Sequence, residues 1–151
     1  MSGSVTTKTT CNYCRQAVSN QIFLTNVETD NPTDFFDWKI TIVFYSGLHY
    51  MKSFANAKGV DLKSHNDFNE KTVSQGSGLS PELIIDGNIR RDYINLRNLS
   101  YNARYDGYFS EKIDKILIKG RLKDSKVYLS NVKSWIIPKL ESENIEVNYT
   151  F

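Results

Sequence analysis

The stretch Phe35-Phe-Asp-Trp-Lys-Ile-Thr-Ile-Val-Phe-Tyr-Ser-Gly-Leu-His-Tyr-Met-Lys-Ser-Phe-Ala-Asn-Ala-Lys58 decides the fold. It contains no proline and one internal glycine, and Asp34 before it is a residue type that caps helix N-termini. Ile40, Val43, Phe44, Gly47, Leu48, Met51, Phe54 and Ala55 recur at the spacing of one helix face. A second stripe runs through Trp38, Ile42, Tyr45 and His49. The β-branched run Ile40-Thr-Ile-Val43 has strand propensity, but the length of the segment and its sustained spacing predict helix. Two apolar stripes imply cover on more than one side, which makes this the central helix of a bundle. Gly59 supplies the left-handed residue that ends it.

Upstream, residues 11–27 read as a helix with Tyr13, Ala17, Ile22 and Leu24 as apolar contacts, broken by Asp30-Asn-Pro-Thr33. Downstream, Ser64-His-Asn-Asp67 is a capping-box variant that starts a short helix, and residues 74–80 read as a Ser/Gly loop. Ser80-Pro81-Glu82 is a helix start, with proline at the first helical position. Ile89, Tyr93, Leu96, Ser100 and Ala103 then form one face of a helix reaching Tyr105, closed by Asp106-Gly107. Residues 113–119 fit a short strand or an extended connector. A last helix is expected over 123–140, its buried face Tyr128, Val132, Trp135 and Ile136, with Pro138 placed to end it early. No repeat is visible. The expected fold is all-α, an up-and-down bundle of four or five helices. Residues 1–10 form a flexible N-terminus, 11–142 a single domain, and 143–151 a weakly alternating, extended tail.

A chain of 151 residues with 40% hydrophobic and 24% charged side chains suits one globular domain. A net charge of +2 excludes a strongly basic nucleic-acid coat but leaves room for a local basic stripe. The charge-free run from Ile40 to Met51 is too short to span a bilayer, which takes roughly 20 apolar residues. The Ser/Thr-rich start lacks the apolar core of a secretory signal. The expectation is a cytoplasmic protein without membrane association.

Cys11-Asn-Tyr-Cys14 has the spacing of a redox pair or of half a zinc site. The remaining zinc ligands would have to be His49 and His65, far along the chain, and no strand precedes the pair as in a thioredoxin motif. Two reduced thiols on the first helix are therefore expected, with no metal site and no cofactor. Phosphate-binding glycine loops, His-Glu-x-x-His and Gly-x-Ser-x-Gly are all absent from the sequence.

The sharper signal is a stripe of arginines. Arg90, Arg97 and Arg104 stand seven residues apart, which keeps them on one helix face. Asn98, Tyr101 and Asn102 lie on or near it. Guanidinium groups so spaced can grip successive phosphates, with Tyr101 free to stack on a base. A solvated polar face paired with acids is the plainer alternative. His49, within an apolar segment and two residues from Gly47, reads as a hydrogen-bonded core or interface residue. His65, at a helix N-terminus where the dipole disfavours its charged form, reads as a cap or a base.

Taken together these segments resemble the HEPN superfamily. Asp37-Trp38 followed by Phe44-Tyr-Ser-Gly-Leu-His-Tyr50 is similar to the Trp…Phe/Tyr-Tyr-x-x-Leu-His helix of small prokaryotic members. Lys63-Ser-His-Asn-Asp67 resembles the Lys-Thr-His-Asp loop that comes after it. Tyr93-x-x-Leu96…Ser100…Ala103-Arg-Tyr105 resembles the closing helix. The resemblance covers residues 35–107. It implies a four- or five-helix bundle, dimeric through the motif helices, and for many members a metal-independent ribonuclease in a toxin–antitoxin or defence setting. The signature of those enzymes is an arginine, commonly followed by a polar residue, and a histidine after four to six intervening positions. Arg97-Asn98 fits its start, but Asn102, Ala103 and Arg104 occupy the histidine positions. Cleavage would therefore need His65 or His49 as base, with Arg97 or Arg104 stabilising phosphate charge. Other members bind nucleotides or serve as interaction modules. The resemblance thus implies RNA or a nucleotide as ligand, with a second copy, an antitoxin or another protein as partner. A non-catalytic helical dimerisation module is the alternative.

Overall fold

The computed structural model describes residues 7–74, 83–105 and 115–151. Among them are five helices, α1 (Asn12–Asp30), α2 (Phe36–Ala57), α3 (His65–Lys71), α4 (Gly87–Tyr105) and α5 (Lys115–Ser142), and two three-residue strands, β1 (Thr72–Ser74) and β2 (Leu83–Ile85). The fold is the expected all-α bundle. α2 is its centre, packed against α1, α4 and α5. Its inner side buries Ile40, Val43, Phe44, Gly47, Met51, Phe54 and Ala55. Gly47 is there for space: a Cβ on it would stand 2.8 Å from the Leu96 side chain of α4 and 3.6 Å from Leu129 of α5.

The ends of α2 show one expectation met and one corrected. Gly59 has φ 75°, its N–H donates to the Asn56 carbonyl and that of Val60 to the Ala55 carbonyl, so the helix closes in a Schellman turn. At the other end the cap is Phe35, not Asp34. The turn through Pro32 and Thr33 brings the chain into the helix one residue late, and Phe35 takes the left-handed conformation, φ 60°, without a side-chain cap. Lys39, fully buried, reaches back to the Asn31 carbonyl and lies over the Phe36 ring, tying the α1–α2 turn to α2.

Ser64 caps α3 with the expected capping box: its hydroxyl accepts the Asp67 N–H, and the Asp67 carboxylate accepts the Ser64 N–H. The expected helix start at Ser80-Pro81-Glu82 lies outside the described residues, as does the closure at Asp106-Gly107, but the segment directly after Glu82 is not helix. Leu83–Ile85 pairs in parallel with Thr72–Ser74, Leu83 and Ile85 buried and Ile84 exposed, the alternation of a strand. α4 begins only at Gly87. The Asp86 carboxylate caps it, accepting the N–H groups of Asn88 at 3.0 Å and Ile89 at 3.2 Å.

α5 is longer than its sequence suggested. Residues 115–119 belong to it rather than to a strand, because Ile118, Leu122, Ser125, Leu129, Val132, Ile136 and Leu140 make one continuous buried seam. Tyr128 and Trp135 lie half-buried at the edge of that seam. Pro138 does not end the helix: it and Ser134, whose carbonyl would have met its missing N–H, both face solvent. Beyond α5, Asn144 turns the tail, and Ile145 pairs with Thr9 through Thr9 N–H to Asn144 carbonyl and Glu146 N–H to Thr9 carbonyl, each 2.8 Å. Thr9 and the tail, placed outside the domain by their composition, are thus joined to each other and packed on it through buried Val147. Among the described residues no helix is long and apolar enough to cross a membrane.

Candidate functional site

α4 turns Tyr93, Leu96, Ser100 and Ala103 into the core, and this fixes where its arginines go. They share a face but not a neighbourhood. Arg90 donates through Nε to the Thr72 hydroxyl at 3.1 Å, and its guanidinium lies 5.5 Å from the Phe68 ring centre, so it fastens α4 to α3 and β1. Arg97 donates through Nη1 to the Asn69 side chain of α3 at 3.1 Å. Arg104 points across to α2. Its Nη1 donates to the Tyr45 hydroxyl at 3.1 Å, and its Nε to the Ser100 carbonyl at 3.4 Å. The Arg104 guanidinium lies 5.7 Å from the Phe44 and Tyr45 ring centres and 5.3 Å from that of Tyr105.

A cleft of about 240 Å³ opens beside Arg104, lined by Asp37, Trp38, Thr41, Ala103, Arg104 and Tyr105. Its apolar walls are exposed: Trp38 is 57% accessible and Tyr105 67%. Tyr101, also exposed, packs its ring on Tyr105 at 4.9 Å. Asp37 is buried at the floor, in the first turn of α2, where a negative charge meets the positive end of the helix dipole. Asn98 is exposed and Asn102 half-buried on α4 between the two outer arginines.

His49 lies one turn along α2 from Tyr45 and stacks on Tyr13 of α1, ring centres 6.2 Å apart at 25°. Its Nδ1 is buried without a hydrogen-bond partner. Burial, and then the charge of Lys52, push its pKa below the ordinary histidine value, so the ring is neutral at physiological pH. His65 is the first residue of α3, and its side chain lies outside the described part. The structure therefore joins Arg104 to Tyr45, with His49 a turn away, and gives Arg97 and Arg90 other partners. Among the described residues no group of three or more His, Cys, Asp or Glu is placed to hold a metal ion.

The sequence missed Asp37, Trp38, Tyr45 and Tyr105 as site residues, although it marked Trp38 and Tyr45 as a stripe. The described residues do not cover that stripe: Trp38 and Tyr45 are exposed, and Ile42 and His49 are half-buried. Its reading as a second buried side is corrected accordingly. α1, α4 and α5 between them cover the rest of α2 and leave this strip open. Compared with protein-family models and with curated protein sequences, the chain matches none.

Proposed function

We infer that the chain is a HEPN-like protein that binds RNA or a nucleotide at the Arg104 cleft. One observation carries this reading: a guanidinium held among aromatic rings at the mouth of a cleft whose walls are exposed tryptophan and tyrosine. Bases stack on such rings whatever their sequence, and arginine adds a charge-assisted contact to phosphate. Asp37, an acceptor lining the cleft, suits the amino group of a base rather than a second phosphate; the phosphate would then lie at the rim beside Arg104. Cleavage would add a base to this site, and His49, neutral and one turn from Tyr45, is the described imidazole nearest in the fold to that role.

The test is titration of the protein with short RNA and with mononucleotides, following tryptophan fluorescence. Arg104→Ala should weaken binding by at least tenfold, the size of a desolvated charge-assisted contact of roughly 1.5–3 kcal/mol, and the loss should shrink as salt rises. Equal affinity of the variant and the parent for every RNA and nucleotide tried would sink the reading.

The exposed aromatics also favour a second reading, self-association through α2 and α4. Trp, Tyr and Arg are the residues that dominate protein interfaces, and Trp38, Tyr45, Tyr101 and Tyr105 all face outward here. Sedimentation over a range of concentrations separates the two, since a monomer that binds RNA excludes this use of the face.

A further inference from the structure

Cys11 and Cys14 lie away from the Arg104 cleft. Cys11 is the N-cap of α1, and its sulfur accepts the Cys14 N–H at 3.4 Å. Its own N–H donates to the Tyr149 hydroxyl at 2.9 Å, which ties it to the tail. Both thiols are free. They differ in access. Cys11, 8% exposed, lines a cleft of about 470 Å³ together with Thr9, Asn12, Ser53 and Asn56, whereas Cys14 is fully buried. An outer sulfur that accepts an N–H at a helix N-terminus, with a second cysteine three residues on and buried beneath it, is the arrangement that thiol–disulfide exchange needs: one to attack, one to resolve.

We propose that Cys11 and Cys14 form a redox-active dithiol that exchanges with low-molecular-weight disulfides, Cys11 attacking and Cys14 resolving. The Cys11 thiolate attacks one sulfur of the small disulfide. The S–S bond of that disulfide breaks, a mixed disulfide forms on Cys11, and one thiolate leaves and takes a proton from water. Cys14 then gives its proton to water, and its thiolate attacks Cys11 Sγ, breaks the mixed disulfide and expels the second thiolate, which is protonated in turn. Two protein thiols are oxidised to one disulfide while the small disulfide is reduced to two thiols. The hydrogen bond from Cys14, with the N–H groups of Cys14 and Tyr13, lowers the Cys11 pKa to about 6, so the attacking form predominates at neutral pH. Cys14 is pushed up chiefly by its hydrogen bond to Cys11 and then by burial. The first of these causes vanishes once Cys11 is in the mixed disulfide, which frees Cys14 to deprotonate at the step that requires it.

The experiment is a titration of the full chain in glutathione redox buffers, quenched with acid, alkylated and read by mass spectrometry. The parent protein should pass to an intramolecular disulfide. Cys14→Ser, whose hydroxyl still donates to Cys11, should accumulate a glutathione adduct on Cys11. Cys11→Ser should carry roughly tenfold less adduct on Cys14 in the same time, as a buried thiol without thiolate character should. Two results would overturn the proposal: a parent protein that keeps both thiols in buffers oxidising enough to convert dithiothreitol, or adducts on Cys14 as abundant as those on Cys11. The parent titration decides the first point whether or not either variant folds.

Discussion

The two sides of α2 each carry an apolar stripe in the sequence and differ in what covers them. On the inner side Ile40, Val43, Phe44, Met51 and Ala55 are fully buried against α1, α4 and α5. On the outer side Trp38 is 57% and Tyr45 39% accessible, beside exposed Tyr101 and Tyr105 of α4. The inner stripe is mainly aliphatic with two phenylalanines; the outer one is mainly aromatic and carries Tyr45, the hydrogen-bond partner of Arg104. Aliphatic side chains contribute chiefly by burial, whereas Trp, Tyr and Arg also present flat faces and polar tips that bind. The same helix thus holds the bundle together with one face and leaves the other open, where the proposed binding would take place.

The largest effect should come from the inner side. Phe44→Ala removes a fully buried ring and should cost about 3–5 kcal/mol, the range for emptying a packed aromatic site. Denaturant unfolding measures it. A loss below about 1 kcal/mol would mean that the inner stripe is not the core and would erase the contrast.

Next in size is a gain. Phe35, at the foot of α2, is half exposed and held at φ 60°, a conformation that disfavours a bulky side chain. Phe35→Asn keeps that backbone at lower cost. It should stabilise by up to about 1 kcal/mol, raising Tm by roughly 2–4 °C for a chain of this size. A lower Tm would show that the Phe35 ring contributes more through packing than its backbone costs.

Smaller still is the effect on stability of opening the outer side. Trp38→Ala should change the free energy of unfolding by no more than about 0.5 kcal/mol, as for an exposed surface position. Its effect belongs in binding. If the loss instead grows with protein concentration, a second copy covers the stripe, because an associating partner stabilises by mass action.

How much of this was legible can be read from the same helix. Helical spacing located α2, and the glycine after it located its Gly59 end, since each is a local geometric demand. It placed the cap at Asp34 because side-chain type suggested it, but the turn through Pro32 and Thr33 decided otherwise. It started α4 at Ser80-Pro81-Glu82, a good local signal beside Leu83-Ile-Ile85, whose pairing with residues 72–74 depends on a distant segment. It left Pro138 as a place where the helix could end early, because local rules cannot tell that this face of α5 is solvent-exposed. At the site, heptad spacing put Arg90, Arg97 and Arg104 on one face, yet their partners, Thr72, Asn69 and Tyr45, come from other elements. Of the aromatic walls, Trp38 was visible as part of a stripe. That the described residues leave it uncovered results from how α1, α4 and α5 share the circumference of α2, which no pattern within α2 records.

The smallest predicted effect tests the border between the two sides. His49 lies there, half-buried, with Nδ1 inside and unpaired. Burial first and Lys52 second lower its pKa from the ordinary 6.5. The unfolded chain therefore takes up the proton at higher pH than the folded one. Above 6.5 both states are neutral and this contribution to stability is complete; as pH falls through 6.5 and towards the lower folded value it is lost, because the unfolded state binds more protons. His49→Gln should flatten that part of the stability–pH curve and leave its alkaline side unchanged. Asp67 supplies an internal control. The backbone N–H of Lys63, chiefly, holds its carboxyl below the ordinary 3.8, so its contribution is also lost in acid, but only as pH falls through the carboxylate range. Chemical unfolding repeated between mildly acidic and neutral pH separates the two windows. If His49→Gln leaves the slope near 6.5 intact, the unpaired nitrogen is solvated rather than buried, and the outer face of α2 extends past His49 to Tyr13.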